Sequence, residues 1–195
     1  MKINRLYNYL VVGLAVAQVL LVLLSWLLSA TMTEGVRSML SGEGVRWFFG
    51  SFVSVLSSPW LVWLLLLSMA VGSLWQSGLL QFTATRSYRH RVALRTALVF
   101  LLLYVAAILA LTVTPHAVLL SATGRLFPSA FSRALVPVIA FGITLVSLPY
   151  GLMSGRFRNL SDAVSSLSYG IAKAAPLFVL YVLAAQFVAS LYFVF

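Results

Sequence analysis

The sequence predicts an all-α, polytopic integral membrane protein, and three observations lead to this prediction. Hydrophobic residues make up 62% of the 195 residues and charged residues only 8%, whereas about a quarter of a globular protein is charged. Long uncharged runs, such as Leu10 to Leu28 and Pro59 to Leu74, have the apolarity and length of helices that cross about 30 Å of hydrocarbon. The acidic residues are only Glu34, Glu43 and Asp162. Lipid is therefore the solvent for most of this chain.

Apolar runs and their interruptions predict five membrane spans within one integral membrane domain that covers residues 1–195. Their boundaries fall at about 8–30, 59–80, 96–114, 132–152 and 175–195. The first run follows Lys2 and Arg5, as in a signal peptide. It exceeds the about 7–15 apolar residues of such peptides, so we expect it to be retained as a span.

Residues 44–58 predict an additional amphipathic helix between the first two spans. The apolar residues at helical spacing are Val45, Phe48, Phe49, Phe52, Val53 and Leu56. Ser51, Ser54 and Ser58 lie on the opposite face. This pattern is compatible with a helix lying in the membrane interface and with one folded back into the bundle.

Basic residues predict the orientation in the membrane. One side would hold nine of them: Lys2, Arg5, Arg86, Arg89, Arg91, Arg95, Arg156, Arg158 and Lys173. The other side would hold four: Arg37, Arg46, Arg125 and Arg133. Because cytoplasmic loops carry the excess of Lys and Arg, we expect a cytoplasmic N-terminus and a periplasmic C-terminus. The net charge of +10 is then explained by topology and lipid phosphates, and nucleic acid is not an expected partner.

Prolines and one cap mark the second half of the chain. Pro137 and Pro149 are predicted to bend the fourth span. Asn159 or Ser161 can cap a short helix that carries Asp162 in its first turn. Pro176 then indicates a kink or a new start, so that 161–174 would lie along the surface before the last span.

No constellation of residues suggests an enzyme or a bound cofactor. The chain has no cysteine, which removes thiolate ligands and nucleophiles. His90 and His116 lack spaced partners for metal binding or base catalysis. We therefore expect neither a metal nor a cofactor, and no enzymatic activity.

Three glutamines are the best candidates for a substrate-binding site, namely Gln18, Gln76 and Gln186. The predicted spans contain no ionisable group at mid-membrane depth, so uncharged amides are the strongest polar groups available there. The alternative is that they only join helices by hydrogen bonds, worth about 0.6 kcal/mol each.

Several short motifs together resemble the p-aminobenzoyl-glutamate (AbgT) transporter family. The early ones are Gly44-Val45-Arg46-Trp47-Phe48, Met69-Ala70-Val71-Gly72 and Ser77-Gly78-Leu79-Leu80. The later ones are Pro149-Tyr150-Gly151 with Gly155, Asp162-Ala163-Val164, Ala175-Pro176-Leu177-Phe178 and Ala185-Gln186-Phe187. The resemblance implies a dimeric scaffold with two re-entrant hairpins whose Asp and Asn side chains bind substrate and ion. Where members carry Ser-Asp-Ala-Gly, the nearest match is Thr114-Pro115-His116-Ala117.

Two functional hypotheses follow from these patterns. The first is a half-size AbgT-like transport protein of the bacterial inner membrane, which moves a small organic anion such as a folate-related compound as a homo-oligomer, with a dimer favoured. The second is a non-transporting membrane scaffold or subunit. Its cytoplasmic basic loop, Arg86, Arg89, Arg91 and Arg95, would contact anionic lipid or an acidic partner protein.

Overall fold

A computed structural model describes residues 2–32, 35–80, 88–113 and 130–195, and these residues form six helices and no strand. The helices are α1 (Lys2–Ala30), α2 (Gly42–Leu56), α3 (Pro59–Ser77), α4 (Tyr88–Val113), α5 (Ala130–Ser154) and α6 (Leu160–Val194). All of them except α2 are long and apolar enough to span a membrane. The predicted all-α fold with five spans is therefore confirmed.

The short helix α2 begins with a serine cap. The Ser41 hydroxyl accepts a hydrogen bond from the backbone N–H of Gly44 at 3.1 Å, and Glu43 stands in the first turn. Both features offset the unpaired N–H groups at a helix start. Pro59 then opens α3, at a position where its missing N–H removes no helical hydrogen bond.

The helix bounds correct two sequence expectations. The basic residues Arg89, Arg91 and Arg95 lie in the first turns of α4 and not in a loop, since α4 begins at Tyr88 rather than near 96. Charged residues end the apolar run without ending the helix. Residues 161–174 are also part of one continuous helix, α6, which passes through Pro176. A proline removes one backbone hydrogen bond, and membrane helices tolerate that loss.

Contacts divide the chain into two compact units. Unit 1 comprises Met1–Val62 and Ala175–Phe195, and unit 2 comprises Trp63–Ala174. Helices α3 and α6 contribute residues to both units. The expectation of one membrane domain over 1–195 stays a prediction.

The core of unit 1 contains three buried residues. They are Leu21 of α1, Met39 in the segment before α2, and Val194 of α6. The segment before α2 is tied into this core by two hydrogen bonds. The Arg37 N–H donates to the Val194 carbonyl at 3.0 Å, and the Met39 N–H donates to the buried Ser25 hydroxyl at 3.1 Å. These bonds hold the non-helical segment against α1 and the end of α6.

The face of α2 that contacts protein overlaps only in part with the predicted apolar face. Trp47 and Phe48 pack on the unit 1 core, whereas Phe49 and Val53 are 76% and 74% exposed. Apolar residues are equally suited to contact protein and lipid, so periodicity does not distinguish between the two surfaces.

Unit 2 is centred on α4 and α5, which pack against each other. Ala93, Ala97 and Tyr150 are buried between them. Further along, the Tyr104 hydroxyl donates to the Val138 carbonyl at 2.7 Å. This hydrogen bond fixes the middle of α4 to α5.

Candidate functional site

A side-chain hydrogen bond joins the apolar helices α1 and α6 in unit 1. Gln18 Nε2 donates to Ser190 Oγ at 2.9 Å. Ser190 is fully buried and Gln18 is partly buried. The sequence prediction singled out Gln18 and missed Ser190.

Gln186 lies one helical turn before Ser190, on the same face of α6. Its side chain is only 6% exposed, yet neither Nε2 nor Oε1 has a hydrogen-bond partner among the described residues. The Oε1 atom of Gln18 is in the same condition. A buried polar atom without a partner costs about 1–3 kcal/mol. We call Gln18, Gln186 and Ser190 the amide cluster.

The chemistry of the amide cluster is hydrogen bonding without charge. Gln186 Nε2 can donate, and the two Oε1 atoms can accept. All three side chains are uncharged, so the cluster is suited to bind a polar molecule by hydrogen bonds. Within the described part of the chain, no group of three His, Cys, Asp or Glu residues is placed to hold a metal ion.

The structure places the third predicted glutamine, Gln76, in unit 2, near the end of α3. It lines an open pocket of about 540 Å³ together with Trp75, Arg156, Phe157, Asp162, Ser165 and Tyr169. Asp162 Oδ2 accepts the Arg158 N–H at 2.8 Å, so this carboxylate ties the turn before α6 to the first turn of the helix. Gln18 is therefore joined to Ser190, Gln186 lies one helical turn from that serine, and Gln76 belongs to a different polar site.

Pro137 and Pro149 both lie inside α5, which stays helical through them. Two residues before Pro149, the Ser147 hydroxyl meets the Ser73 hydroxyl of α3 at 2.8 Å, and both side chains are fully buried. The bend at these prolines stays a prediction, and the buried bond connects the second half of α5 to α3.

Two of the basic residues lie at helix C-termini in unit 2. Gly78 and Gly155, with φ of +74° and +82°, follow the ends of α3 and α5. The Arg156 guanidinium lies over Gly78, and the Arg89 guanidinium lies near Gly155. Cations at these positions stabilise the negative ends of helix dipoles. Arg89, Arg91 and Arg95 are exposed, whereas Arg86 and His116 lie outside the described residues.

Only one local pattern in the sequence pointed to the amide cluster. Gln186 and Ser190 are four residues apart, which places them on one face of a helix. No such rule connects either residue to Gln18, since the sequence does not state which helices pack together.

Comparison with known proteins gives a family for this chain. Residues 83–194 match the family model described as the AbgT putative transporter family. The chain belongs to the AbgT family. No curated protein and no solved structure matches it significantly.

The AbgT match begins at residue 83, so it includes Gln186, Ser190, both prolines of α5 and the basic start of α4. Gln18 and Gln76 precede it. Its described residues include five helices long and apolar enough to cross a membrane, and the chain is a multi-pass membrane protein of a transporter family.

Proposed function

We propose that this AbgT-family chain transports a small organic anion, such as a folate-related compound, across the bacterial inner membrane. The observation that supports this proposal is the set of three buried amide atoms without partners at Gln18 and Gln186. Interhelical packing explains the bond from Gln18 to Ser190, but it does not explain Gln186, whose side chain joins nothing among the described residues.

A neutral amide site is chemically suited to an organic anion that also carries amide or hydroxyl groups. The Gln186 N–H groups donate to a carboxylate oxygen, and the Oε1 atoms accept from substrate N–H or O–H groups. Hydrogen bonds to a charged partner are the stronger kind, at about 1.5–3 kcal/mol. Substrate binding would thus satisfy the unpartnered atoms.

We further propose that the transporting form is a homo-oligomer, with a dimer favoured. One copy supplies five membrane-spanning helices among its described residues, and such a small number rarely encloses a solvated path. A second copy would provide a second amide cluster and the remaining wall. The proposed orientation has a cytoplasmic N-terminus and a periplasmic C-terminus, in agreement with the distribution of basic residues.

Uptake into proteoliposomes tests this function. We expect vesicles that contain the protein to take up p-aminobenzoate-type and folate-fragment anions faster than protein-free vesicles. Gln186→Leu should stop uptake without loss of folding, and Gln186→Asn should retain part of it because it keeps the amide. Uptake that survives in Gln186→Leu but stops in Gln76→Leu would move the site to unit 2. An absence of uptake of every anion tested, with folded dimeric protein, would contradict the transport proposal.

A different observation favours a second function, that of a membrane scaffold or subunit. The exposed arginines at the start of α4, Arg89, Arg91 and Arg95, form a basic surface suited to anionic lipid or an acidic partner. Replacing Arg86, Arg89, Arg91 and Arg95 by Gln should then release a co-purifying partner. If partner binding and membrane orientation both survive, the docking function is wrong.

A further inference from the structure

Unit 1 carries a second polar site, which differs from the amide cluster in its chemistry and shares no residue with it. An open pocket of about 840 Å³ lies between α2 and the end of α6. We call it the arginine pocket, and its lining residues that matter here are Arg37, Glu43, Arg46, Trp47, Tyr192 and Phe193. Two arginines against one glutamate leave it with a net charge of +1.

Aromatic rings fix the wall of the arginine pocket. Trp47 and Phe193 stack with their ring centroids 4.4 Å apart and an interplanar angle of 19°. The Arg37 guanidinium lies over the Phe193 ring, with Cζ 5.9 Å from the centroid. Its Nη1 atom is 3.9 Å from Glu43 Oε1, in an ion pair that is largely exposed. Arg37 is therefore held in place, while its charge is only weakly compensated.

Arg46 connects the arginine pocket to an apolar groove on α2. This groove, the α2 groove, is lined by Leu40, Gly42, Val45, Arg46, Phe49 and Gly50. Val45 and Phe49 are 44% and 76% exposed. A Cβ atom added to Gly42 or Gly50 would meet nothing within 4 Å, so the floor of the groove is open backbone. Arg46 thus lines both the cationic, aromatic arginine pocket and the open α2 groove.

We infer that the arginine pocket and the α2 groove together bind one anionic phospholipid. The phosphate would contact Arg37 and Arg46, and an acyl chain would lie along Val45, Phe49 and the bare backbone of Gly50. Arginines and aromatic rings at the end of a membrane-spanning helix are the groups that meet lipid head groups. The α2 groove beside the arginine pocket favours an amphiphile over a free anion as the occupant.

Two substitutions test the two halves of the site independently. Arg46→Gln removes one charge at the head group, and Arg158→Gln, at an exposed residue of unit 2 outside the basic surface of α4, is the charge control. Gly50→Leu places a side chain in the α2 groove, where an added Cβ atom meets nothing within 4 Å. It also raises the helix propensity of α2. Gly13→Leu on the exposed side of α1 is its control, because a Cβ there also meets nothing within 4 Å.

The measurement is the lipid retained by the protein in native mass spectrometry, after release from nanodiscs of mixed phosphatidylglycerol and phosphatidylcholine. We expect the unmodified chain to retain phosphatidylglycerol. Arg46→Gln and Gly50→Leu should each lower the retained fraction about fivefold, and both controls should leave it unchanged. Thermal unfolding in detergent alone verifies that every variant is folded, and Gly50→Leu tests the site even if Arg46→Gln does not fold.

Three results would overturn the inference. Equal retention of phosphatidylcholine would show that charge plays no part. Full retention in Gly50→Leu would show that no acyl chain occupies the groove. If glycerol 3-phosphate raises the unfolding temperature in detergent as much as phosphatidylglycerol does, the pocket binds a soluble anion instead.

Discussion

Gly72 of α3 and Gly170 of α6 pack backbone against backbone inside unit 2. A Cβ atom added to Gly72 would lie 2.5 Å from both Cα and N of Gly170. A Cβ atom added to Gly170 would collide with the carbonyl oxygen of Ser68, one turn before Gly72. Small residues at such positions let membrane helices approach closely enough for backbone atoms to contact each other.

Gly72→Ala should therefore destabilise the protein. The atoms in its way belong to backbone, which cannot rotate aside, so the two helices must separate. We expect a loss of about 1–3 kcal/mol, the usual cost of overpacking. Thermal unfolding in detergent measures it.

Gly50→Ala is the matched control for Gly72→Ala. It replaces a helical glycine by the same residue, but its Cβ meets nothing within 4 Å. We expect it to be neutral or slightly stabilising, by up to about 1 kcal/mol. Equal unfolding temperatures for the two variants would refute the close packing of α3 and α6.

The two buried hydroxyls of Ser73 and Ser147 should contribute a small coupling energy. Each hydroxyl also has a carbonyl of its own helix within hydrogen-bond distance, Ser73 that of Ala70 and Ser147 that of Thr144. The hydroxyl that donates to the other serine leaves its own carbonyl, and it can donate there again when the other serine is lost. Because that local bond is available when the opposite serine is lost, we expect a coupling of only about 0.6 kcal/mol. A double-mutant cycle with Ser73→Ala and Ser147→Ala measures this term. A coupling above about 2 kcal/mol would show that the pair is more than an ordinary interhelical bond.

The sequence predicted the spans well because each depends on one local property, the length of an apolar run. It predicted helix ends less well. Arg89, Arg91 and Arg95 lie outside the apolar run, but they are part of α4 because arginine is a good helix former. Apolarity identifies what lies in lipid, and helicity extends beyond that limit.

The site was predictable only in part, for a related reason. Gln18 and Gln186 stand out as amides in apolar spans, but their relation to Ser190 depends on how α1 packs on α6. On α2, Phe49 and Trp47 are equally apolar, yet only Trp47 packs on the core. Hydrophobicity indicates that a residue avoids water, but it does not indicate whether that residue contacts lipid or protein.

Tyr181 should stabilise the junction between α2 and α3. Its hydroxyl lies 2.6 Å from Ser58 Oγ and donates to the Leu56 carbonyl at 3.2 Å. Leu56 is the last residue of α2, and its carbonyl accepts from the Ser58 N–H at 2.8 Å as well as from this hydroxyl. We expect Tyr181→Phe to cost about 1 kcal/mol in thermal unfolding.

Tyr192→Phe is the control for this hydroxyl. It makes the same chemical change at a side chain that is 85% exposed. We expect no measurable effect on stability. If both variants unfold alike, the Tyr181 hydroxyl does not hold the junction.

Ser190→Ala should be more harmful than the loss of the whole bond between α1 and α6. The variant leaves Gln18 Nε2 without the acceptor that lies 2.9 Å away, in addition to the Oε1 atom that already lacks a partner. An orphaned buried donor costs about 1–3 kcal/mol, whereas removing both partners is nearly neutral. We therefore expect Ser190→Ala to lower the unfolding temperature and Gln18→Leu with Ser190→Ala to restore most of it. If the losses of the two single variants add in the double variant, the Gln18 side chain finds another partner or reaches water. The Gln18 amide would then not depend on Ser190.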